Sequence, residues 1–335
     1  MKGTMTISIA RRTFIALAGS ALAWPHSARA QAKKMPRIGV LWHAADAKGE
    51  EPYFSSLLKG FSDLGYADGR NLSFDHKFPN EEPALFKRMA AELVTAKVDV
   101  LVSVSGTASV HAKNTTATVP IVFVFVNDPV QSKLVTSLSR PGGNTTGLTN
   151  FQADITQRRL QIFKEVVPGM SRIAQLVNPD APVARVNIAS IRDAAAKLGL
   201  TIQTFEARTV AELEPAFDAM VAAKMQGVTY GPGELIQFVG REAMAKLAIA
   251  RRLPLSGHSK EVLDAGGLVA YGADNVAIIR PVAVYVDKIL KGEKPADIPV
   301  EGPTKFELQI NLKTARALGI EVPPVMLGRA DEVVE

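Results

Sequence analysis

The sequence of 335 residues has no cysteine, which excludes disulfide bonds, thiolate metal sites, a cysteine nucleophile and a lipid anchor on cysteine. Long hydrophobic runs are also missing. Beyond the first 30 residues no segment reaches about 18 uninterrupted apolar residues, so no membrane-spanning helix is expected there. Hydrophobic residues make up 47% and charged residues 21% of the chain, which is ordinary for a globular protein and excludes collagen-like, coiled-coil and disordered classes. The length predicts roughly two domains.

Motifs that mark common enzyme classes are absent as well. The first predicted strand, Arg37–Trp42, is not followed by the glycine-rich phosphate loop of a dinucleotide-binding domain, and there is no P-loop, zinc-protease or nucleophile-elbow motif. The histidines outside the N-terminal leader, His43, His76, His111 and His258, lie far apart and show no metal-ligand spacing. We therefore expect neither a cofactor nor a metal, although a catalytic arrangement assembled only in space stays open.

The first 30 residues have the three parts of a secretory signal peptide. Arg11 and Arg12 precede the apolar run Phe14–Trp24, and Ala28-Arg29-Ala30 follows as a small-x-small cleavage site. The apolar run is shorter than the roughly 20 residues that span a bilayer. The paired arginines favour the twin-arginine export route, with Sec export as the alternative. We expect residues 1–30 to be removed and the remaining chain to be periplasmic, without a membrane anchor.

Much of the basic character of the chain comes from this leader. The formal net charge is +6 at pH 7, which raises the question of a nucleic-acid partner. The leader holds Lys2, Arg11, Arg12 and Arg29 but no acidic residue, so without it the net charge falls to about +2. No nucleic-acid partner is therefore expected.

Apolar runs alternate with amphipathic segments along the rest of the chain. Strands are predicted at Arg37–Trp42, Asn71–Phe78, Val98–Val104, Pro120–Val126, Arg172–Val177, Thr201–Phe205, Gly227–Tyr230, Leu253–Leu255 and Lys305–Ile310. Helices are predicted at Tyr53–Leu64, Glu81–Thr95, Pro182–Leu198, Thr209–Ala223, Leu235–Arg251 and Val276–Leu290. Such alternation indicates right-handed βαβ units and parallel sheets. Because the pattern starts again after the turn-rich stretch Arg140–Asn144, the sequence predicts an α/β fold with two doubly wound parallel-sheet lobes.

Ligands of open parallel sheets bind beyond the carboxyl ends of the strands, where loops and helix N-termini converge. That rule selects Trp42, His43, Ser105, Gly106, Thr107, Asn127, Asp128, Asn150, Asn178, Tyr230, His258 and Tyr271 as candidate ligand-binding residues. The stretch Ser105-Gly106-Thr107 suits an anionic group at a helix N-terminus, and Trp42 ends a strand beside a polar loop. Each candidate has a structural alternative, such as a plain N-cap for Ser105, a turn for Asp128 and core packing for the aromatic residues.

Five stretches carry sequence patterns of a known family. They are Val119–Leu148 (with V-P-I-V-F-V-F-V-N-D-P-V and S-L-S-R-P-G-G-N-T-T-G-L), Glu261–Gly272, Tyr285–Pro299, Thr304–Gly319 and the ending Arg329–Glu332. Together with the twin-arginine leader, they resemble the ABC-transporter substrate-binding family that includes tryptophan- and tyrosine-binding members. The resemblance covers essentially the whole chain after the leader.

The resemblance implies a type I periplasmic binding fold, with two lobes joined by three crossovers and a ligand in the cleft. It assigns residues 36–149 and 273–300 to lobe one, and residues 150–272 and 301–335 to lobe two. In amino-acid-binding relatives, the loops after the third and fourth strands of lobe one hold the ligand's carboxylate and amine. The resemblance implies Ser105, Gly106 and Thr107 for the carboxylate, with Asn127 and Asp128 nearby. Relatives commonly have an Arg-Glu-Phe run where this chain has Ser256–Glu261, so His258 changes a wall of the cleft and the identity of the ligand does not carry over.

We therefore expect a solute-binding protein of an ABC importer, not an enzyme, that acts as a monomer. It captures an amino acid or an aromatic or amphipathic anion between its lobes, whose closure the ligand favours, and delivers it to a permease in the inner membrane. Two alternatives stay open. One is a periplasmic sensor that presents its ligand-bound state to a membrane kinase. The other is an exported α/β enzyme that uses His43, Asp128 or His258 as acid–base groups.

Overall fold

The structure, a computed structural model, describes residues 35–150, 155–181, 183–231 and 239–335. The predicted signal peptide lies outside these residues, as does part of the predicted helix Leu235–Arg251. The described residues form two lobes, each an α/β sandwich around a mostly parallel sheet, so the predicted fold class is confirmed.

The strands follow the predicted pattern closely and add elements that the pattern did not reveal. They are β1 Arg37–Leu41, β2 Ser73–Lys77, β3 Val100–Val104, β4 Ile121–Val126, β5 Thr145–Thr149, β6 Arg172–Val177, β7 Thr201–Glu206, β8 Val228–Tyr230, β9 Leu255–Gly257, β10 Val269–Ala273, β11 Phe306–Asn311 and β12 Glu332–Val334. The helices are α1 Tyr53–Asp63, α2 Pro83–Thr95, α3 Gly106–Thr115, α4 Thr156–Val166, α5 Ala184–Lys197, α6 Leu213–Ala222, α7 Arg241–Ala250, α8 Lys260–Asp264, α9 Asn275–Ile279, α10 Val282–Leu290, α11 Leu312–Leu318 and α12 Pro324–Leu327.

The first lobe is built on a five-stranded parallel sheet of order β2-β1-β3-β4-β5. Helices α1, α9 and α10 cover one face through a core that includes Leu57, Phe61 and Val286, while α2 and α3 cover the other. The order reverses between β1 and β3, so the loops after these strands diverge and leave a crevice at the carboxyl edge. The loops that carry His43 and Ser105 lie at this edge.

The second lobe repeats this design within a seven-stranded sheet of order β12-β11-β10-β9-β8-β6-β7. Strands β7-β6-β8-β9-β10 have the same order as the sheet of lobe one, and their pairings are parallel. Strand β11 departs from the parallel arrangement, since it pairs with β10 in antiparallel register from Val269 opposite Ile310 to Ala273 opposite Phe306. Two hydrophobic cores, one on each face, hold the helices to the sheet.

The chain passes between the lobes more than once. It leaves the first sheet after β5, returns after β10 through α9 and α10, and leaves again beside Glu301, whose carbonyl accepts a hydrogen bond of 2.8 Å from the Thr149 amide. The contacts of α10 with β3, β4 and β5 place residues 282–290 on the sheet of lobe one. Among the described residues, no helix combines the length and apolar character needed to cross a bilayer.

Two local expectations differ from the structure. The turn-rich stretch Arg140–Asn144 lies inside lobe one, where it leads into β5, a strand whose sequence T-T-G-L-T has few large apolar residues. The single helix predicted at Val276–Leu290 is instead the pair α9 and α10, which meet at Arg280 and Pro281. Proline lacks the amide hydrogen that a continuous helix needs at that position, which explains the break.

We predict that Gly60→Ala destabilises the protein by about 3 kcal/mol, at the upper end of the usual cost of overpacking. A Cβ at Gly60 in α1 would lie 2.2 Å from the carbonyl oxygen of Arg280, so α1 and the α9–α10 junction would have to separate. Urea unfolding followed by circular dichroism measures the change. Ser62→Ala, at an exposed position of the same helix, is the control and should be nearly neutral. Equal stability of the two variants would refute this close packing.

Candidate functional site

The loops after β1 and β2 hold their side chains mainly in the interior of lobe one. Trp42 is fully buried, and its Nε1–H donates to Nδ1 of His76 at 3.0 Å. Its ring lies 5.4 Å from that of Phe54 and 6.3 Å, nearly parallel, from that of Phe78. Trp42 therefore packs in the aromatic core in this structure.

His43 is also fully buried, between two carboxylates of lobe one. Its Nε2 lies 3.4 Å from Oε2 of Glu50, and its Nδ1 lies 3.6 Å from Oε1 of Glu81. The other oxygen of Glu50 accepts hydrogen bonds from the amides of His43 and Ala44, which fixes the loop. Burial lowers the pKa of His43, Glu50 opposes this shift, and Arg241 of lobe two adds to it. The effect of Arg241 shows that lobe two approaches this loop.

The loops after β3 and β4 contribute to a cavity of about 240 Å³ between the lobes. Gly106, Asn127 and Asp128 line it from lobe one, and Asn187 of α5 lines it from lobe two. Ser105 is the N-cap of α3, since its Oγ accepts a hydrogen bond from the Ala108 amide at 3.3 Å. Thr107, in the first turn of α3, is buried.

Two of the predicted polar residues hold turns in their own loops. One carboxylate oxygen of Asp128 accepts from the amides of Val130 at 3.1 Å and Gln131 at 2.8 Å. Oδ1 of Asn178, after β6, accepts from the Asp180 amide at 3.1 Å. Asn150, at the first lobe crossing, is buried, and its Oδ1 has no hydrogen-bond partner among the residues that the structure describes.

The predicted residues of lobe two gather around a buried arginine that the sequence pattern did not reveal. Arg159 of α4 is 3% exposed, and its Nε–H donates to the carbonyl oxygen of Tyr271 at 3.0 Å. Burial lowers its pKa to about 10, against the opposing effects of Tyr230 and Tyr271, so the guanidinium keeps its positive charge at neutral pH. The rings of Tyr230 and His258 meet edge to face at 5.4 Å. Arg159 thus places a positive charge beside both side chains.

Residues from both lobes complete this group, which we call the polar cluster. It consists of Tyr53, Arg159, Tyr230, Arg241, His258, Glu261 and Asn275. Nδ2 of Asn275 donates to the Tyr53 hydroxyl at 3.4 Å. Burial raises the pKa of Tyr53 well above its ordinary value, and the charge of Glu261 raises it further, so α8 of lobe two faces the start of α1. The polar cluster therefore joins the two lobes.

Several buried atoms in and near the polar cluster lack partners within the described ranges. They are Oη of Tyr230, Oγ of Ser256, Nδ1 of His258, Oε2 of Glu261 and Oδ1 of Asn275. Buried polar groups in proteins are nearly always hydrogen-bonded, because an unmade bond costs about 1–3 kcal/mol. Such a concentration of unmade bonds between two lobes is typical of a site that binds a polar ligand.

The sequence rule based on strand ends missed Tyr53, Arg159, Arg241, Glu261 and Asn275. Three of them, Tyr53, Arg241 and Asn275, begin helices, and Glu261 lies in a five-residue helix directly after β9. Arg159 is flanked by Thr156, Leu160 and Phe163 on the buried face of α4. A charged residue on an otherwise apolar helical face was the available signal for Arg159.

Two sheets of matching order, joined by repeated crossings and sharing a polar cleft, define a two-lobed binding protein of the type I periplasmic binding fold. Residues 46–334 match the family described as "ABC transporter substrate binding protein", and the chain belongs to this family. The family resemblance read from the sequence is thereby confirmed. The family binds substrates rather than transforming them, in agreement with the prediction that the chain is not an enzyme.

Individual proteins support the same placement. The chain is 25% identical over 297 residues to a tyrosine-binding protein of Clostridioides difficile (strain R20291), covering 88% of this chain and 84% of that protein. A conserved domain protein from Vibrio cholerae superimposes with a TM-score of 0.83 at 28% identity, over 90% of this chain and 100% of the other. An ABC domain from Streptococcus pneumoniae in complex with L-Trp superimposes with a TM-score of 0.82 at 23% identity, over 89% and 99% of the two chains.

We predict that Trp42 and His76 stabilise the fold through their mutual hydrogen bond. In a double-mutant cycle with Trp42→Phe and His76→Leu, the two changes should be coupled by about 1 kcal/mol, because either one removes the same contact. The free energies of urea unfolding of the wild type, both single variants and the double variant measure this coupling. Strictly additive losses would show that the two side chains do not interact.

We also predict an acid-sensitive contribution of His258 to stability. Burial, followed by the charge of Arg159, lowers the pKa of His258 well below its ordinary value of 6.5. As the pH falls, the unfolded chain therefore binds a proton at His258 before the folded protein does. Above pH 6.5 the titration of this histidine leaves the free energy of unfolding unchanged. Below pH 6.5 it decreases the free energy of unfolding by about 1.4 kcal/mol per pH unit. Urea unfolding at about pH 7 and pH 5 should show a smaller acid loss for His258→Asn than for the wild type. Parallel pH profiles would contradict this prediction.

Proposed function

We propose that this chain is the substrate-binding protein of an ABC importer and that its two lobes close on a small molecule with an anionic group. The single observation that carries the proposal is the buried guanidinium of Arg159 beside Tyr230 and His258, in the polar cluster that both lobes share. Arginine binds a carboxylate through paired N–H donors in a fixed plane, so a ligand carboxylate suits this environment.

A second arginine, Arg241, also favours a ligand with an anionic group. Arg241, at the start of α7, lies close enough to Tyr53, Tyr230 and His43 to influence the pKa of each. Two arginines of lobe two thus contribute positive charge to the cleft from different helices. Attraction between these cations and an anionic ligand would concentrate the ligand in the cleft and favour the closed arrangement over the open one.

Ligand-driven closure follows from the division of the polar cluster between the lobes. We infer that residues 36–149 with 273–300 and residues 150–272 with 301–335 move as the two bodies. Tyr53 and Asn275 belong to the first body, whereas Arg159, Arg241, His258 and Glu261 belong to the second. A ligand that contacts both sets binds the closed arrangement more tightly, and a permease that recognises closed lobes would accept only loaded protein.

The proposed setting is the periplasm, reached through cleavage of the N-terminal 30 residues, with an inner-membrane permease as partner and a monomer as the acting form. For the ligand, the relatives direct the first tests toward aromatic amino acids, since one relative is a tyrosine-binding protein and the structure of another holds L-Trp. Mass spectrometry of small molecules that co-purify with the protein identifies the natural ligand independently of these relatives.

We predict that Arg241→Gln weakens the binding of L-tyrosine or L-tryptophan by about 10- to 100-fold, the usual loss for a hydrogen bond to a charged group. Arg159→Gln should do the same or more, with a lower melting temperature because its site is buried. Isothermal titration calorimetry measures the affinities, and Arg185→Gln, on the exposed face of α5, should bind like the wild type. Unchanged affinity in both arginine variants would refute the assignment of Arg159 and Arg241 to ligand binding. If the wild type binds no amino acid and no aromatic acid, the proposed ligand class is wrong.

A further inference from the structure

A second cavity, of about 390 Å³, opens between the lobes and is lined in part by His258, Glu261 and Asn275 of the polar cluster. Lobe one contributes Pro52 and the start of α9, and lobe two contributes α8 with parts of β11 and β12. Its charged lining is predominantly acidic and consists of Glu261, Asp264, Asp274, Glu307, Glu332 and one lysine, Lys260. Lys260 pairs with Glu332 and lies 3.7 Å from Asp264, so it neutralises only part of this charge. We call this space the acidic cavity.

Three buried hydrogen-bond acceptors line the acidic cavity. They are Oε2 of Glu261, Oδ1 of Asn275 and Nδ1 of His258, and none has a partner among the described residues. Nδ1 of His258 is an acceptor in the tautomer that carries the ring hydrogen on Nε2. Asn275 is 8% and His258 4% exposed, so bulk water does not solvate these atoms freely. One acceptor comes from lobe one and two come from lobe two. A group that bonds all three therefore bridges the lobes.

The chemistry of the missing donor follows from the acceptors. A primary ammonium has three N–H donors and no acceptor, which matches three acceptor atoms in an acidic environment. A neutral hydroxyl or amide would leave at least one acceptor unpaired, and an anion would be repelled. Among the described residues, no group of three or more histidine, aspartate or glutamate side chains is placed to hold a metal ion.

We propose that the acidic cavity binds the ammonium group of the ligand through Glu261, Asn275 and His258. The inference rests on the proposed function, because it requires that the ligand's anionic end lies toward Arg159 and Arg241. His258 connects the two ends, since the charge of Arg159 acts on it and it also lines the acidic cavity. The ligand is then a zwitterionic amino acid rather than a simple aromatic acid, and the site selects it by its amine as much as by its carboxylate.

Matched ligand pairs test this assignment. We would measure calorimetric affinities for L-tyrosine and 3-(4-hydroxyphenyl)propionate, and for L-tryptophan and indole-3-propionate, which differ chiefly in the amine. The wild type should prefer the amino acid of each pair by at least about 10-fold, as expected for a charge-assisted hydrogen bond. Glu261→Gln should weaken amino-acid binding by about 10- to 100-fold and leave the affinity for the amine-free acid within about threefold. Glu242→Gln, which removes an exposed carboxylate of lobe two outside the cavity, should leave both affinities unchanged.

The outcomes separate this inference from the proposed function. Binding of both members of a pair with equal affinity, or an equal loss for both in Glu261→Gln, overturns the ammonium site and leaves the solute-binding role intact. No binding of either member of any pair overturns the proposed ligand class and the ammonium site with it. Melting temperatures confirm that each variant is folded, and Asn275→Leu repeats the test with the acceptor from lobe one if Glu261→Gln does not fold.

Discussion

The hydrogen bond from Arg159 to the carbonyl oxygen of Tyr271 is the contact on which the cleft of lobe two depends. Removing a guanidinium from water is costly, and the cost is tolerable only where its donors find acceptors. The bond ties α4, the first helix of lobe two, to β10, the last strand before the chain returns to lobe one. It fixes a positive charge beside Tyr230 and His258. The neutral state of His258 and the protonated state of Tyr230 both follow from the burial that surrounds this charge.

Positive and negative groups share one cleft. The charge of Arg159 acts on His258, and His258 and Glu261 both line the acidic cavity. In the proposed binding mode, such a cleft takes a molecule that carries both charges in one orientation, because the reversed molecule would face like charges at both ends. Selectivity of this kind needs little apolar contact. It therefore leaves the rest of the cavity free to set the size and shape of the side chain that is accepted.

Much of the fold could be predicted from the sequence because buried parallel strands such as Val100–Val104 and Ile121–Val126 have an unambiguous apolar pattern. Strand β5 escaped because its residues are small and polar, although all five are buried. Its Gly147 has a φ of 154°, and a Cβ there would lie 2.0 Å from the Phe123 carbonyl oxygen. The strand therefore forms through close backbone packing against β4 rather than through burial of large side chains. Side-chain hydrophobicity does not report such contacts.

The candidate site was harder to predict for a related reason. The carboxyl ends of the strands located the cleft and several of its walls, including Tyr230 and His258. Arg159 and Tyr53, however, lie on helices, and their place in the cleft depends on how the helices pack. For Trp42 the strand-end rule predicted a place beside the cleft. In the structure its side chain packs in the core instead, where it donates a hydrogen bond to His76 of β2. The strand pattern predicted the edge of the sheet at which the cleft lies. Which side chains reach the cleft depends on tertiary packing.

The repeated passage of the chain between the lobes also governs the order in which the protein can be assembled. Much of one face of the sheet in lobe one is covered, beside α1, by α9 and α10, which follow nearly all of lobe two in the sequence. While the chain is being synthesised, the valines of β1, β3 and β4 on that face lack these two helices until more than four-fifths of the chain has been made. The first lobe is therefore not an independent folding unit, and the newly made N-terminal half exposes an apolar surface suited to chaperones.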